Sequence, residues 1–131
     1  MERLIYTSLK EWKDSPNRKP LILQGARQVG KTYILKEFGK REYANVVYIN
    51  CDDNDDMKDM FADYDIKRII RSLSAISGIS IMPSSTLIIL DEIQEINRGL
   101  SSLKYFCEKA SEYHVAVAGS LLGITLHEGT S

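Results

Sequence analysis

Apolar residues recur along this chain in two rhythms. Four short unbroken runs, Leu21-Ile22-Leu23, Val46-Val47-Tyr48-Ile49, Leu87-Ile88-Ile89-Leu90 and Val115-Ala116-Val117-Ala118, read as strands buried on both faces. Between them the spacing turns helical. Leu4, Ile5, Ser8, Leu9 and Trp12 form the stripe of an amphipathic helix over about 3–13, and Trp12 is assigned to packing in preference to stacking on an adenine. Ile34, Leu35 and Phe38 share one face of a second helix, with Lys36, Glu37 and Lys40 off that face and Gly39 as its stop. Met57, Met60, Phe61 and Tyr64 mark another helix. So do Ile66, Ile69, Ile70, Leu73 and Ile76, closed by Gly78, and finally Leu100, Leu103, Phe106, Cys107 and Ala110. Residues 14–20 and 79–86 carry the prolines and serines of loops. Strands alternating with helices predict an α/β fold around a parallel sheet.

The junction between the first strand and the second helix carries chemistry. Gly25-Ala26-Arg27-Gln28-Val29-Gly30-Lys31-Thr32, followed by Tyr33, fits G-x-x-x-x-G-K-[ST], the phosphate-binding loop of P-loop NTPases. Glycines at both ends let the backbone curl until consecutive N–H groups point inward as an anion nest, and the helix adds the positive end of its dipole. Lys31 then reaches the β- and γ-phosphates, and the Thr32 hydroxyl is placed to ligate Mg²⁺.

Sixty positions after Lys31, the third apolar run ends in Asp91-Glu92. Two carboxylates closing a buried strand are costly unless they serve a site, and open parallel sheets place ligands at the carboxyl ends of their strands. Asp91 is therefore assigned to the Mg²⁺ held by Thr32, and Glu92 to the general base that activates water. Gly119-Ser120 closes the fourth strand, either as a plain strand-to-loop turn or, the reading preferred for a small polar residue there, with Ser120 as a sensor that reads the γ-phosphate or holds the water. The segment Asp91-Glu92-Ile93-Gln94 departs from the Asp-x-x-Gly of GTPases, and Asn-Lys-x-Asp occurs nowhere, which favours adenine. A glutamate that activates water favours hydrolysis over transfer to another acceptor. Two other readings stay open: a non-catalytic nucleotide-gated interaction module and a small-molecule kinase.

Composition narrows the remainder. At 131 residues, with 44% hydrophobic and 27% charged, the chain suits one domain spanning 1–131. A net charge of -1 gives no overall pull toward nucleic acid or acidic membranes, so nucleic-acid binding is left unassigned. Cys51 and Cys107 share no metal-type spacing and read as reduced, inert thiols; with no signal peptide or spanning segment, a cytoplasmic protein is expected. Asp52, Asn54 and Asp56 alternate like a calcium loop, but Met57 and Asp63 stand at its sixth and twelfth positions, and helix capping accounts better for the acidic run. Lys67, Arg68 and Arg71 read as a solvated helix face.

GARQVGKT, LIILDEIQ and AGSLLG, with the leading L-K-E-W and R-K-P-L-I-L stretches, resemble the ATPase domain of an AAA-type family of bacteria and archaea whose full-length members carry a C-terminal domain of unknown function. The resemblance implies a three-layer αβα P-loop NTPase with sheet order 5-1-4-3-2. It implies ATP and Mg²⁺ as cofactors, phosphate contacts from 25–33, Asp91 on the metal, Glu92 and Lys31 in catalysis and Ser120 as sensor. It further implies a fragment lacking the fifth strand and the C-terminal domain, with self-association among its expectations. AAA-type sites commonly draw an arginine finger from a neighbouring subunit, and Arg98 matches by position only. Slow hydrolysis by this chain alone is the consequence, since losing such an arginine costs about 10³- to 10⁵-fold in rate.

Overall fold

The structure, a computed structural model, describes residues 2–15, 21–25, 29–51, 65–92 and 111–120; the side chains of 2–6, 22–25, 29–32 and 120 fall outside that description. Helix α1 spans Glu2–Asp14 and strand β1 Leu21–Gly25, followed by α2 over Val29–Glu42 and β2 over Asn45–Asn50. Helix α3 spans Ile66–Ser77, strand β3 Thr86–Asp91 and strand β4 His114–Ser120. The four strands form one sheet in the order β1-β4-β3-β2, and every pairing is parallel. That is the 1-4-3-2 portion of the expected order, and a fifth strand has no counterpart among the described residues.

Strand β3 lies between two apolar clusters. Its Leu87 and Ile89 pack with Leu9 of α1, Leu35 and Phe38 of α2, Tyr43 and Ala116. Ile88 and Leu90 pack on the opposite face with Val47 and Ile49, with Ile66, Ile69, Ile70 and Leu73 of α3, and with Val115 and Val117. Helices thus cover the sheet on both faces, as expected of parallel strands buried on both sides. Helix α3 is bounded by its own sequence. The Asp65 carboxylate accepts from the Arg68 N–H at 3.2 Å as N-cap, and Gly78, at φ 73°, turns the C-terminus in the left-handed region.

Three expectations need correction. Gly39 does not stop α2; the helix continues to Glu42. A Cβ at Gly39 would collide with the Val46 side chain and stand 3.1 Å from Leu87 Cδ2, so glycine is there because the helix backbone lies against the sheet. Ser8 and Ile76, placed on apolar stripes by spacing, are exposed, because each stripe is narrower than its periodicity suggested. Thr86, assigned to a loop, opens β3 and is buried. Trp12 packs as expected, edge-on to His114 with ring centroids 5.8 Å apart. The expected helices over 57–64 and 100–110, the acidic run from Asp52 to Asp56, the loop at 16–20, Arg98 and Cys107 lie outside the described residues.

Gly39→Ala tests the close approach. Alanine favours a helix interior over glycine by about 1 kcal/mol, whereas overpacking costs about 1–3 kcal/mol. The overlap with Val46 leads to net destabilisation, read as a lower urea midpoint at unchanged m-value.

Candidate functional site at the carboxyl edge of the sheet

Parallel pairing brings the ends of all four strands to one edge. Gly25, the last residue of β1, is the register partner of Ser120, the last of β4. Strand β4 also pairs with β3, Val117 opposite Leu90, one residue short of Asp91. Asp91 in turn pairs with Asn50 at the end of β2. The glycine that opens the phosphate-loop motif, Ser120, Asp91 and Glu92 therefore share this edge. Helix α2 begins at Val29, so the backbone of Gly30, Lys31 and Thr32 lies in its first turn, and Tyr33 follows as an exposed residue. Ala26, Arg27 and Gln28 lie outside the described residues, as do the side chains of Val29, Lys31, Thr32 and Ser120.

Alternation along β3 sets where Asp91 belongs. It is in phase with Leu87 and Ile89, the residues facing α2, and out of phase with Ile88 and Leu90. Asp91 thus stands on the sheet face covered by α2. Its carboxylate is held from two directions: the Tyr48 hydroxyl donates to Oδ2 at 2.6 Å, and the Glu92 N–H donates to Oδ1 at 2.9 Å. The next residue leaves the strand abruptly. Glu92 has φ 55°, in the left-handed region that residues other than glycine seldom adopt.

Tyr48 and Lys36 were not singled out by sequence reasoning. Tyr48 is the register partner of Ile89, so Asp91 is its diagonal neighbour on the same face, within reach of a long aromatic side chain. Lys36 of α2 places its ammonium 3.9 Å from the centroid of the Tyr48 ring. The signal was present as an aromatic residue near the end of the second strand, but only the register turns it into a contact with Asp91.

Cys51 follows β2 and is buried, its N–H donating to the Asp91 carbonyl at 2.9 Å. Burial, together with the nearby Asp91 and Glu92 charges, pushes its thiol up to about 12 from an ordinary 9.0. Below pH 9 the thiol is protonated in both folded and unfolded chains and adds no pH dependence. Above pH 9 the unfolded chain releases this proton while the folded one retains it, so stability falls as pH rises toward 12. Between pH 9 and 10.5, wild type should lose stability faster than Cys51→Ala, by at most about 1.4 kcal/mol per pH unit. Paired urea titrations of the two proteins across that range measure the difference.

Among the described residues no three His, Cys, Asp or Glu side chains cluster as a metal site, and no helix is long and apolar enough to cross a membrane. A family model described as an AAA domain matches residues 17–131, which covers the whole carboxyl edge and all four strands. That description implies a nucleotide-binding, ATPase-like function, and the parallel sheet with helices on both faces is compatible with a P-loop NTPase-like fold. A search among curated proteins returns no match. On the extent of the family match, this chain belongs to the AAA-domain family.

Proposed function

We propose that this domain binds ATP and hydrolyses it with Mg²⁺. The observation that carries the reading is the convergence of Gly25, Ser120 and Asp91-Glu92 on one edge of a parallel sheet, with α2 starting just beyond Gly25. Backbone N–H groups of 25–33 and the first turn of α2 cradle the phosphates, and Lys31 offsets the charge on their β- and γ-oxygens. Thr32 and Asp91 are the residues that would hold Mg²⁺. Asp91 fits that role as a hard oxygen donor on the α2 face, and Mg²⁺ is commonly held by one or two carboxylates together with substrate phosphates. When bound, the ion supplies neutralising charge at the β- and γ-phosphate oxygens.

Glu92 is assigned to accept the proton of the attacking water, which it can do as a carboxylate adjacent to the metal-facing residue. Ser120, at the end of the strand between β1 and β3, is assigned to report on the γ-phosphate. The base is adenine by the absence of guanine-reading motifs. A C-terminal domain and self-association belong to the same reading, with an arginine finger supplied from a neighbouring copy.

Two substitutions test this function. Mg·ATP at about 100 times its Kd should stabilise wild type by about 2.7 kcal/mol, a shift of several degrees in Tm. Lys31→Ala should abolish that shift; a folded wild type that shows none would overturn the proposal. Glu92→Gln should retain the shift and lose turnover, which for this chain alone lies below about 1 s⁻¹. Turnover unchanged in Glu92→Gln would instead support the interaction-module reading.

A further inference from the structure

We propose that Tyr48 is a positioning residue that sets the Asp91 carboxylate for the divalent cation of the nucleotide, and that Lys36 links this setting to the helix after the phosphate loop. The inference rests on the reading of Asp91 as a Mg²⁺ ligand. A carboxylate at the end of a strand turns easily, because rotation about its last torsion is broad and roughly two-fold. Here the two oxygens are held by different donors, the Tyr48 hydroxyl on Oδ2 at 2.6 Å and the Glu92 N–H on Oδ1 at 2.9 Å. One donor comes from the neighbouring strand and one from the chain itself, so together they fix the plane of the group. Outer partners of this kind orient metal-binding carboxylates and tune their affinity.

Lys36 adds the second link. Its ammonium, 3.9 Å from the centre of the Tyr48 ring, draws electron density from the phenol and makes the hydroxyl a better donor to the carboxylate. Lys36 lies about two turns along α2 from its start at Val29. Position of the phosphate-loop helix and orientation of Asp91 are thereby joined through one aromatic ring. The ring also packs against the cluster that contains Leu35, Phe38 and Ile89, a role that phenylalanine would fill equally well. The hydroxyl is the atom that separates positioning from packing.

The test uses the whole chain, a non-hydrolysable ATP analogue and Mn²⁺ as a paramagnetic stand-in for Mg²⁺, with bound Mn²⁺ read by electron paramagnetic resonance. Tyr48→Phe should weaken Mn²⁺ binding to the nucleotide complex about tenfold, while metal-free binding of a fluorescent nucleotide stays at the wild-type value. Lys36→Gln should weaken Mn²⁺ binding about threefold. Mn²⁺ affinity within twofold of wild type in Tyr48→Phe would overturn the inference. Asp91→Asn separates the two levels. Loss of Mn²⁺ affinity there but not in Tyr48→Phe sinks this inference and leaves the function standing, whereas wild-type affinity in Asp91→Asn removes Asp91 from the metal and this inference with it. Should Tyr48→Phe fail to fold, Lys36→Gln decides, and unchanged Mn²⁺ affinity in it counts against the link.

Discussion

Strand β3 has no exposed backbone on which to leave a polar group unpaired. Leu87, Ile88, Ile89 and Leu90 are all fully buried, so their N–H and C=O groups depend on the ladders to β2 and β4. Register is a separate problem. In a half-buried strand a one-residue slip is resisted because it would turn apolar side chains toward water. In β3 both faces are apolar, and a slip would only exchange Leu87 and Ile89 for Ile88 and Leu90. Polar groups at the ends must therefore set the register. At the amino end Thr86 Oγ1 donates to Asn45 Oδ1 and accepts from the Met82 N–H, and the Ala44 N–H reaches the Ser85 carbonyl. At the carboxyl end the Cys51 N–H meets the Asp91 carbonyl and Tyr48 holds the Asp91 side chain. A slip would break all of these and move Asp91 to the α3 face beside Ile49 and Cys51.

The two edges of the sheet are used differently. At the amino edge, remote from Asp91, a buried polar and aromatic cluster anchors the start of β4. The Tyr43 hydroxyl bonds His114 Nδ1, the Trp12 ring meets His114 edge-on, and Lys13 donates to the Glu42 carbonyl at 2.8 Å while lying over the Tyr43 ring. These contacts tie α1 to the end of α2 and to β4. On the same face β4 presents Ala116, and α2 presents Gly39 to Val46 and Leu87. Small groups on both partners allow α2 to lie close to the sheet. Its first turn, which carries Gly30, Lys31 and Thr32, is thereby fixed relative to the strand ends.

The strands and the helices that fall within the described residues were legible because their apolar runs and stripes are long and of one kind. Leu87 to Leu90 reads as a strand under any scheme, and Ile66, Ile69, Ile70 and Leu73 form one buried face as spaced. What failed was the meaning of single residues. Glycine 39 obeys the rule for a helix stop, yet its cause is a side chain seven positions later in sequence and adjacent in space. Ile76 fits the helical period but is exposed, while the buried face of α3 ends at Leu73. Asp91 could be placed at a strand end from sequence, because burial of Leu87 to Leu90 makes the first following carboxylate conspicuous. Its partner Tyr48 could not, because a diagonal contact exists only once β2 and β3 are paired in register.

The strained residue beside Asp91 is stabilised by the site itself. A left-handed conformation costs a residue other than glycine about 1–2 kcal/mol. The bond from the Glu92 N–H to the Asp91 carboxylate is charge-assisted, a class that contributes about 1.5–3 kcal/mol, enough to offset that strain. The turn at Glu92 is thus maintained by Asp91, and the orientation of Asp91 is maintained in part by that turn. The Asp91 carboxylate cannot be removed without disturbing the Glu92 backbone. Removing the Asp91 carboxylate would release the Glu92 backbone as well as any cation, so effects at the two positions will not add. An asparagine at 91 keeps an acceptor for the Glu92 N–H while removing the charge. It is therefore the substitution that separates loss of the charge from collapse of the turn.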